Sequence, residues 1–115
     1  MKIIETEAGK LAFSEETVAA LAVWSVAHVP GLARVAGQGE GLAHLLGRDR
    51  LPKGVSVEIR GGEVTVELDI IVVYGVDIRE TARATIATVR DGIREALGFE
   101  VDDVQVNVVG VEPRR

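Results

Sequence analysis

The run from Leu68 to Ile78, Leu-Asp-Ile-Ile-Val-Val-Tyr-Gly-Val-Asp-Ile, constrains this chain more than any other stretch. It begins as a strand of alternating faces, turns apolar on both faces over Ile70–Val73, and breaks at Tyr74-Gly75. A strand apolar on both sides predicts cover on both sides. Asp77 stands three residues before Glu80, an aspartate form of the capping box that opens a helix. Ile78, Ala82, Ile86, Val89, Ile93 and Leu97 then recur at steps of three or four, and Gly98 is placed to cap the far end. This stretch predicts a strand delivered through a tight joint into an amphipathic helix.

The neighbouring segments complete the plan. Val55-Ser56-Val57-Glu58-Ile59 and Val64-Thr65-Val66-Glu67-Leu68-Asp69-Ile70 both alternate, with Arg60-Gly61-Gly62-Glu63 between them. That pattern predicts a hairpin whose two glycines supply positive φ angles. Val104, Val106 and Val108 alternate with polar residues to give a last strand, and residues 112–115 read as a fraying tail. Upstream, residues 2–7 and 10–13 read as short extended pieces around Ala8-Gly9. Ser14 looks like an N-cap, with Glu15 and Glu16 facing the positive end of a helix dipole. That first helix is expected to reach about Val29 and stop at Pro30-Gly31. From Arg34 to Lys53, glycines punctuate a short apolar piece, Leu42-Ala43-His44-Leu45-Leu46, read as a helical turn within a loop.

The expected fold is α+β: a two-layer sandwich in the order (β)-α-β-β-α-β, two helices packed on a mixed sheet of three to four strands. The hairpin makes its strands antiparallel, and the helical crossover brings the last strand in parallel to the second, with right-handed sense. Whether the last strand lies beside the second or the first is left open. Residues 1–115 read as a single domain, long enough to bury roughly two thirds of the surface its unfolded chain exposes. No internal repeat or linker interrupts it.

Composition narrows the chemistry. There is no cysteine, so a thiol nucleophile and cysteine-containing metal sites are excluded, which fits a reducing compartment. The net charge of -5 disfavours global attraction to nucleic acid or anionic lipid. No signal-peptide pattern opens the chain, and the longest uncharged stretch, Thr17 to Ala33, falls short of the ~20 apolar residues a spanning helix needs.

Candidate sites are few. His28 and His44 lack a partner at ligand spacing, so structural roles are favoured over catalysis or metal binding. Gly37-Gln38-Gly39-Glu40-Gly41 follows no convincing strand and carries no Gly-Lys-Ser/Thr, so a loop is favoured over a phosphate site. Asp102 and Asp103 are adjacent on a strand and point to opposite faces, as a solvated strand start would. The first helix is apolar on nearly every side around Val23 and Trp24, which suggests a second buried side, a subunit interface in so small a domain. Arg79, Arg83, Arg90 and Arg94 follow steps of four, seven and four along one side of the second helix. Either they form a solvated ion-paired face, or they dock an acidic partner, nucleic acid or anionic lipid. Sheet stacking of bases lacks its aromatics, with only Tyr74 at a strand end, and no Gly-x-x-Gly loop exists, so nucleic acid is disfavoured.

Five segments in order resemble one known family. Gly9-Lys10-Leu11-Ala12-Phe13-Ser14 resembles its opening Gly-Lys-Ile-x-Ile-Ser, and Val29-Pro30-Gly31-Leu32 its Pro-Gly-Val step. Lys53-Gly54-Val55-Ser56-Val57 resembles its Gly-Val-x-Val strand start. Ile71-Val72-Val73-Tyr74-Gly75-Val76-Asp77-Ile78 resembles the strand-Tyr-Gly-helix signature, and Val104 to Val111 the closing Val-Asn-Val strand. By these motifs the chain is similar to the alkaline shock proteins, the Gls-type general or envelope stress response family. Leu32 and Phe13 depart from the family's usual residues, and the Gly-rich region 37–52 has no clear counterpart.

The resemblance implies a cytoplasmic stress-response protein with no enzymatic activity, cofactor or metal. It implies self-association into a homo-oligomer, and docking on a membrane-anchored or envelope-related partner at the inner face of the membrane. Val23, Trp24, Tyr74, Gly75 and the four arginines are the candidate interaction residues. The alternative is a nucleic-acid or anion-binding module using the arginine stripe.

Overall fold

A computed structural model describes residues 1–37 and 54–114. The helical turn expected at Leu42–Leu46, His44 and most of the Gly-rich region lie outside the described residues. Among the described residues, six strands and two helices follow in order: β1 (Lys2–Thr6), β2 (Gly9–Phe13), α1 (Glu15–Ser25), β3 (Leu32–Val35), β4 (Val55–Arg60), β5 (Glu63–Val73), α2 (Ile78–Leu97) and β6 (Asp103–Glu112). The architecture is α+β, as the sequence predicts.

β5 organises the molecule. β6 runs parallel to it from Thr65↔Asp103 to Val73↔Glu112, which settles the open strand order in favour of the second hairpin strand. The other edge of β5 is shared. β4 pairs antiparallel with residues 63–68, and β3 pairs antiparallel with residues 70–72. At the junction Asp69 donates its N–H to Gly54 O and accepts from Ala36 N–H, both at 2.8 Å, so one residue joins both strands. A Cβ on Gly54 would sit 2.0 Å from Ala36 O, so no other residue fits this joint. Gly61 and Gly62 turn the β4–β5 hairpin with φ of 59° and 87°, as the double-glycine signal requires.

The core lies on one face of this sheet. Val64, Val66, Leu68, Ile70 and Val72 of β5 are fully buried beneath Val18, Ala19 and Ala22 of α1 and Val89 and Ile93 of α2. Such burial stabilises by roughly 1.5–3 kcal/mol per large aliphatic side chain. Thr85 is buried among them and satisfies its hydroxyl on Thr81 O at 2.8 Å. The expectation of cover on both faces at Ile70–Val73 is corrected. The helices cover one face, while Ile71 and Val73 are only half-buried on the other. Glu67, Asp69, Gln105 and Asn107 line that open face in one hydrogen-bonded ladder.

Four further expectations change. α1 ends at Ser25, not near Val29, because its chain tightens into three-residue turns that carry Val26 and Val29 into the core. The stretch read as loop from Arg34 contains the end of β3, whose partner lies some forty residues away in β5, out of reach of any local pattern. β1 and β2 form a two-stranded sheet of their own rather than joining the main one. Phe13 ties this hairpin to Phe99, ring centres 6.0 Å apart, and Lys2 Nζ bonds Gly62 O at 2.7 Å. Last, Glu112 does not fray: it closes β6, and its carbonyl accepts from Tyr74 N–H at 2.7 Å.

Candidate interaction surface

The last turn of α1 sets the geometry of the main surface feature. Ser25 Oγ donates back to Ala22 O at 2.9 Å, and Ala27 N–H donates to Trp24 O, three residues back. Two more such bonds, Val29 N–H to Val26 O and Leu32 N–H to Val29 O, step the chain round Pro30 and into β3. Pro30 disfavours helical backbone at Val29, so the helix cannot continue through it. Since Val26 and Val29 turn inward, Trp24 is left outside, 72% exposed.

β3 returns alongside and closes a groove of about 260 Å³ between itself and α1. Val23, Trp24, Val26, Leu32 and Val35 give it apolar walls, and among the described residues Arg34 is its one charged lining residue. Arg34 is held in place: its Nε and one terminal nitrogen both donate to Glu112 Oε2, at 3.2 and 3.0 Å. An indole on an apolar groove beside a fixed ion pair suits an apolar side chain with polar neighbours.

Val23 and Trp24 are therefore brought together, but the other predicted residues are not in this groove. Tyr74 is 74% exposed at the exit of β5, and Gly75 follows with φ of 98°. They form a joint, with Val73 N–H on Gly31 O at 2.9 Å and Tyr74 N–H on Glu112 O. The arginines of α2 divide. Arg79 is exposed at its first turn. Arg83 pairs with Glu80 at 3.6 Å. Arg90 reaches across to donate to Val101 O at 2.8 Å, holding the loop before β6. Arg94 bonds Asp91 and lies 3.6 Å from Glu100, and these carboxylates raise its pKa above the usual guanidinium value, the Asp91 hydrogen bond contributing most. Three of the four are thus engaged within the chain, which favours the ion-paired reading of the stripe.

The remaining chemistry is quiet. His28 is exposed in the turn after α1. Asp102 is more than a solvated strand start, since its carboxylate accepts from Val64 N–H at 2.7 Å. Among the described residues no three His, Asp or Glu side chains are placed to hold a metal, and every buried side-chain polar atom has a partner. Among them, too, no helix is long and apolar enough to cross a membrane.

Residues Leu32, Ala33, Arg34 and Val35 were not among the expected interaction residues. The signal for them was the glycine at each end, Gly31 and Gly37, around a four-residue piece with apolar ends. That is too short for periodicity to declare a strand.

Comparison with known proteins places this geometry in a family. Residues 3–113 match the profile of the alkaline shock protein 23 family, described by a cell envelope-related function. The uncharacterized protein YloU of Bacillus subtilis (strain 168) is 28% identical over 111 residues, covering 94% of this chain and 92% of its own. The uncharacterized protein YqhY of the same organism is 22% identical over 109 residues, covering 94% of this chain and 81% of its own. Among solved structures, the MamM CTD carrying a His-to-Glu substitution is similar in fold, with a TM-score of 0.51 at 15% identity. That similarity covers 87% of this chain and 95% of that one.

Proposed function

This chain belongs to the alkaline shock protein 23 family, whose function is cell envelope-related, and on that premise we propose that it is a non-enzymatic interaction domain. In this reading it self-associates and docks on a membrane-anchored or envelope-related partner from the cytoplasmic side, in response to envelope or alkaline stress. The observation that carries the proposal is the Trp24 groove. A helix leaves a large aromatic side chain mostly in water, at the mouth of an apolar cleft, in a chain with few other aromatics. Leaving an indole exposed costs the chain burial it would gain elsewhere, and aromatic anchors in pockets dominate protein interfaces.

The groove supports a protein partner better than a small molecule. It is open, it is walled by aliphatic side chains, and its charged residue Arg34 is tied to Glu112. The arginine stripe offers less to nucleic acid, since Arg83, Arg90 and Arg94 already have acceptors within the chain.

The test is crosslinking and recovery from native cells, comparing the natural chain with Trp24→Glu and Val23→Asp. A membrane or envelope protein held by the natural chain and lost from both folded variants is the expected result. Equal recovery by all three chains overturns the groove as the docking site. Salt-sensitive retention of nucleic acid, lost in Arg79→Glu, would instead favour the anion-binding reading.

A further inference from the structure

The second feature of note is an edge, not a groove. β6 is ten residues long, about 33 Å at the usual rise, and among the described residues it pairs with β5 alone. Among the described residues, no strand pairs with its other edge. The opposite side of the sheet is managed differently. There β4 and β3 are six and four residues long, and β4 ends in the charged pair Glu58 and Arg60. β6 has no charged side chain from Val104 to Val111, while Val108, Val109 and Val111 are 40%, 55% and 50% exposed. A long apolar edge without charge or proline is a template for another strand.

We infer that the outer edge of β6 pairs antiparallel with β6 of a second copy, making one continuous sheet through a two-fold axis. The inference rests on the self-association reading above and gives it a place in the fold. The charges and the faces of β6 select the occupant. Its start carries Asp103; at its end Glu112 is neutralised by Arg34 and Arg114 follows, so an antiparallel copy sets each acidic start against a basic residue.

The bulge fixes the register further. Ile70 faces Val108 but Ile71 faces Gly110, so one residue is extra and the alternation of β6 changes phase there. Val106, beside Leu68, and Val111, beside Val72, consequently share the helical face although their numbers differ by five. Asn107 and Gly110, beside Asp69 and Ile71, share the open face. A two-fold axis between Val108 and Val109 matches these faces: Val106 meets Val111, Asn107 meets Gly110, and Asp103 meets Arg114. An even register would set core-facing side chains against open-face ones. The axis stands normal to the sheet, so both helical layers lie on one side.

The absence of cysteine from the chain makes the test clean. Single cysteines are introduced at Asp103, Val106, Val109, Val111 and, as a remote site on the opposite edge of the sheet, Ser56 of β4, and disulfide-linked dimer is measured under mild oxidation. Yield should peak at Val109→Cys and fall several-fold toward Asp103→Cys and at Ser56→Cys. Asp103→Arg and Arg114→Asp should each weaken the dimer in sedimentation at high protein concentration, and the double exchange should restore it. A dimer in sedimentation with no crosslinking maximum on β6 overturns this interface and leaves self-association standing. A monomer at every concentration overturns both.

Discussion

Along α2 the buried residues Thr81, Thr85, Val89 and Ile93 fall four apart, and the opposite side is charged. α1 buries Val18, Ala19 and Ala22 on one side, yet places the bulkiest side chain of the chain, Trp24, in water. The first pattern belongs to a helix covered along one side only, by the sheet and its companion helix. The second belongs to a helix whose apolar residues exceed what its own chain covers. Apolar content alone does not distinguish core from interface; the direction in which each residue projects does.

The largest test of that contrast is Ile93→Ala. Ile93 is fully buried, so the change should lower stability by about 2–5 kcal/mol in urea unfolding, through lost transfer energy and a residual cavity. A loss near zero would mean the α2 stripe does not hold the core. Next in size is Gly92→Ala, at the contact between the helices. A Cβ there would lie 2.8 Å from Ser25 Cβ. Helix propensity favours alanine by about 1 kcal/mol, whereas crowding typically costs about 1–3 kcal/mol. Net destabilisation is expected, and a gain in melting temperature would show that the helices separate easily. The smallest effect on stability belongs to Trp24→Ala. A core tryptophan would cost ~3–5 kcal/mol. At 72% exposure the expected change is within about 0.5 kcal/mol, with partner recovery lost. A large stability loss with intact binding would reverse the assignment of α1.

Much of the fold was legible because its signals are local. The Ser14 cap accepts from Thr17 N–H at 3.2 Å and the Asp77 cap from Glu80 N–H at 3.1 Å, each within one turn of the residue that announces it. Gly98 adopts the left-handed conformation its position implies. The Gly61-Gly62 hairpin and the alternation of β4 and β5 are equally local. β3 was hidden because four residues cannot display a period and their partner is distant. The apolar pattern does not mark the end of α1, because apolar residues continue through Val26 and Val29, which turn from helix to core ahead of Pro30.

The candidate site divides along the same line. Val23 and Trp24 stood out from the excess apolar character of their helix, but the groove needs β3, which no local pattern revealed. The arginine stripe was visible as spacing, yet spacing cannot say that Arg90 reaches a loop carbonyl or that Arg94 meets Glu100. Tyr74-Gly75 was visible as a motif, and its backbone bonds give it the role of a joint.

By itself the sequence determined the elements whose cause lies within a turn or a hairpin, together with family membership carried by ordered motifs. Tertiary structure alone decided that β3 and β4 share one edge of β5, that β6 takes the other with no further strand beside it among the described residues, and that Trp24 points outward. The physical reason is range. Caps, turns and periodicity act over a few residues, whereas an edge, a groove or an exposed ring exists only once distant segments have chosen their neighbours.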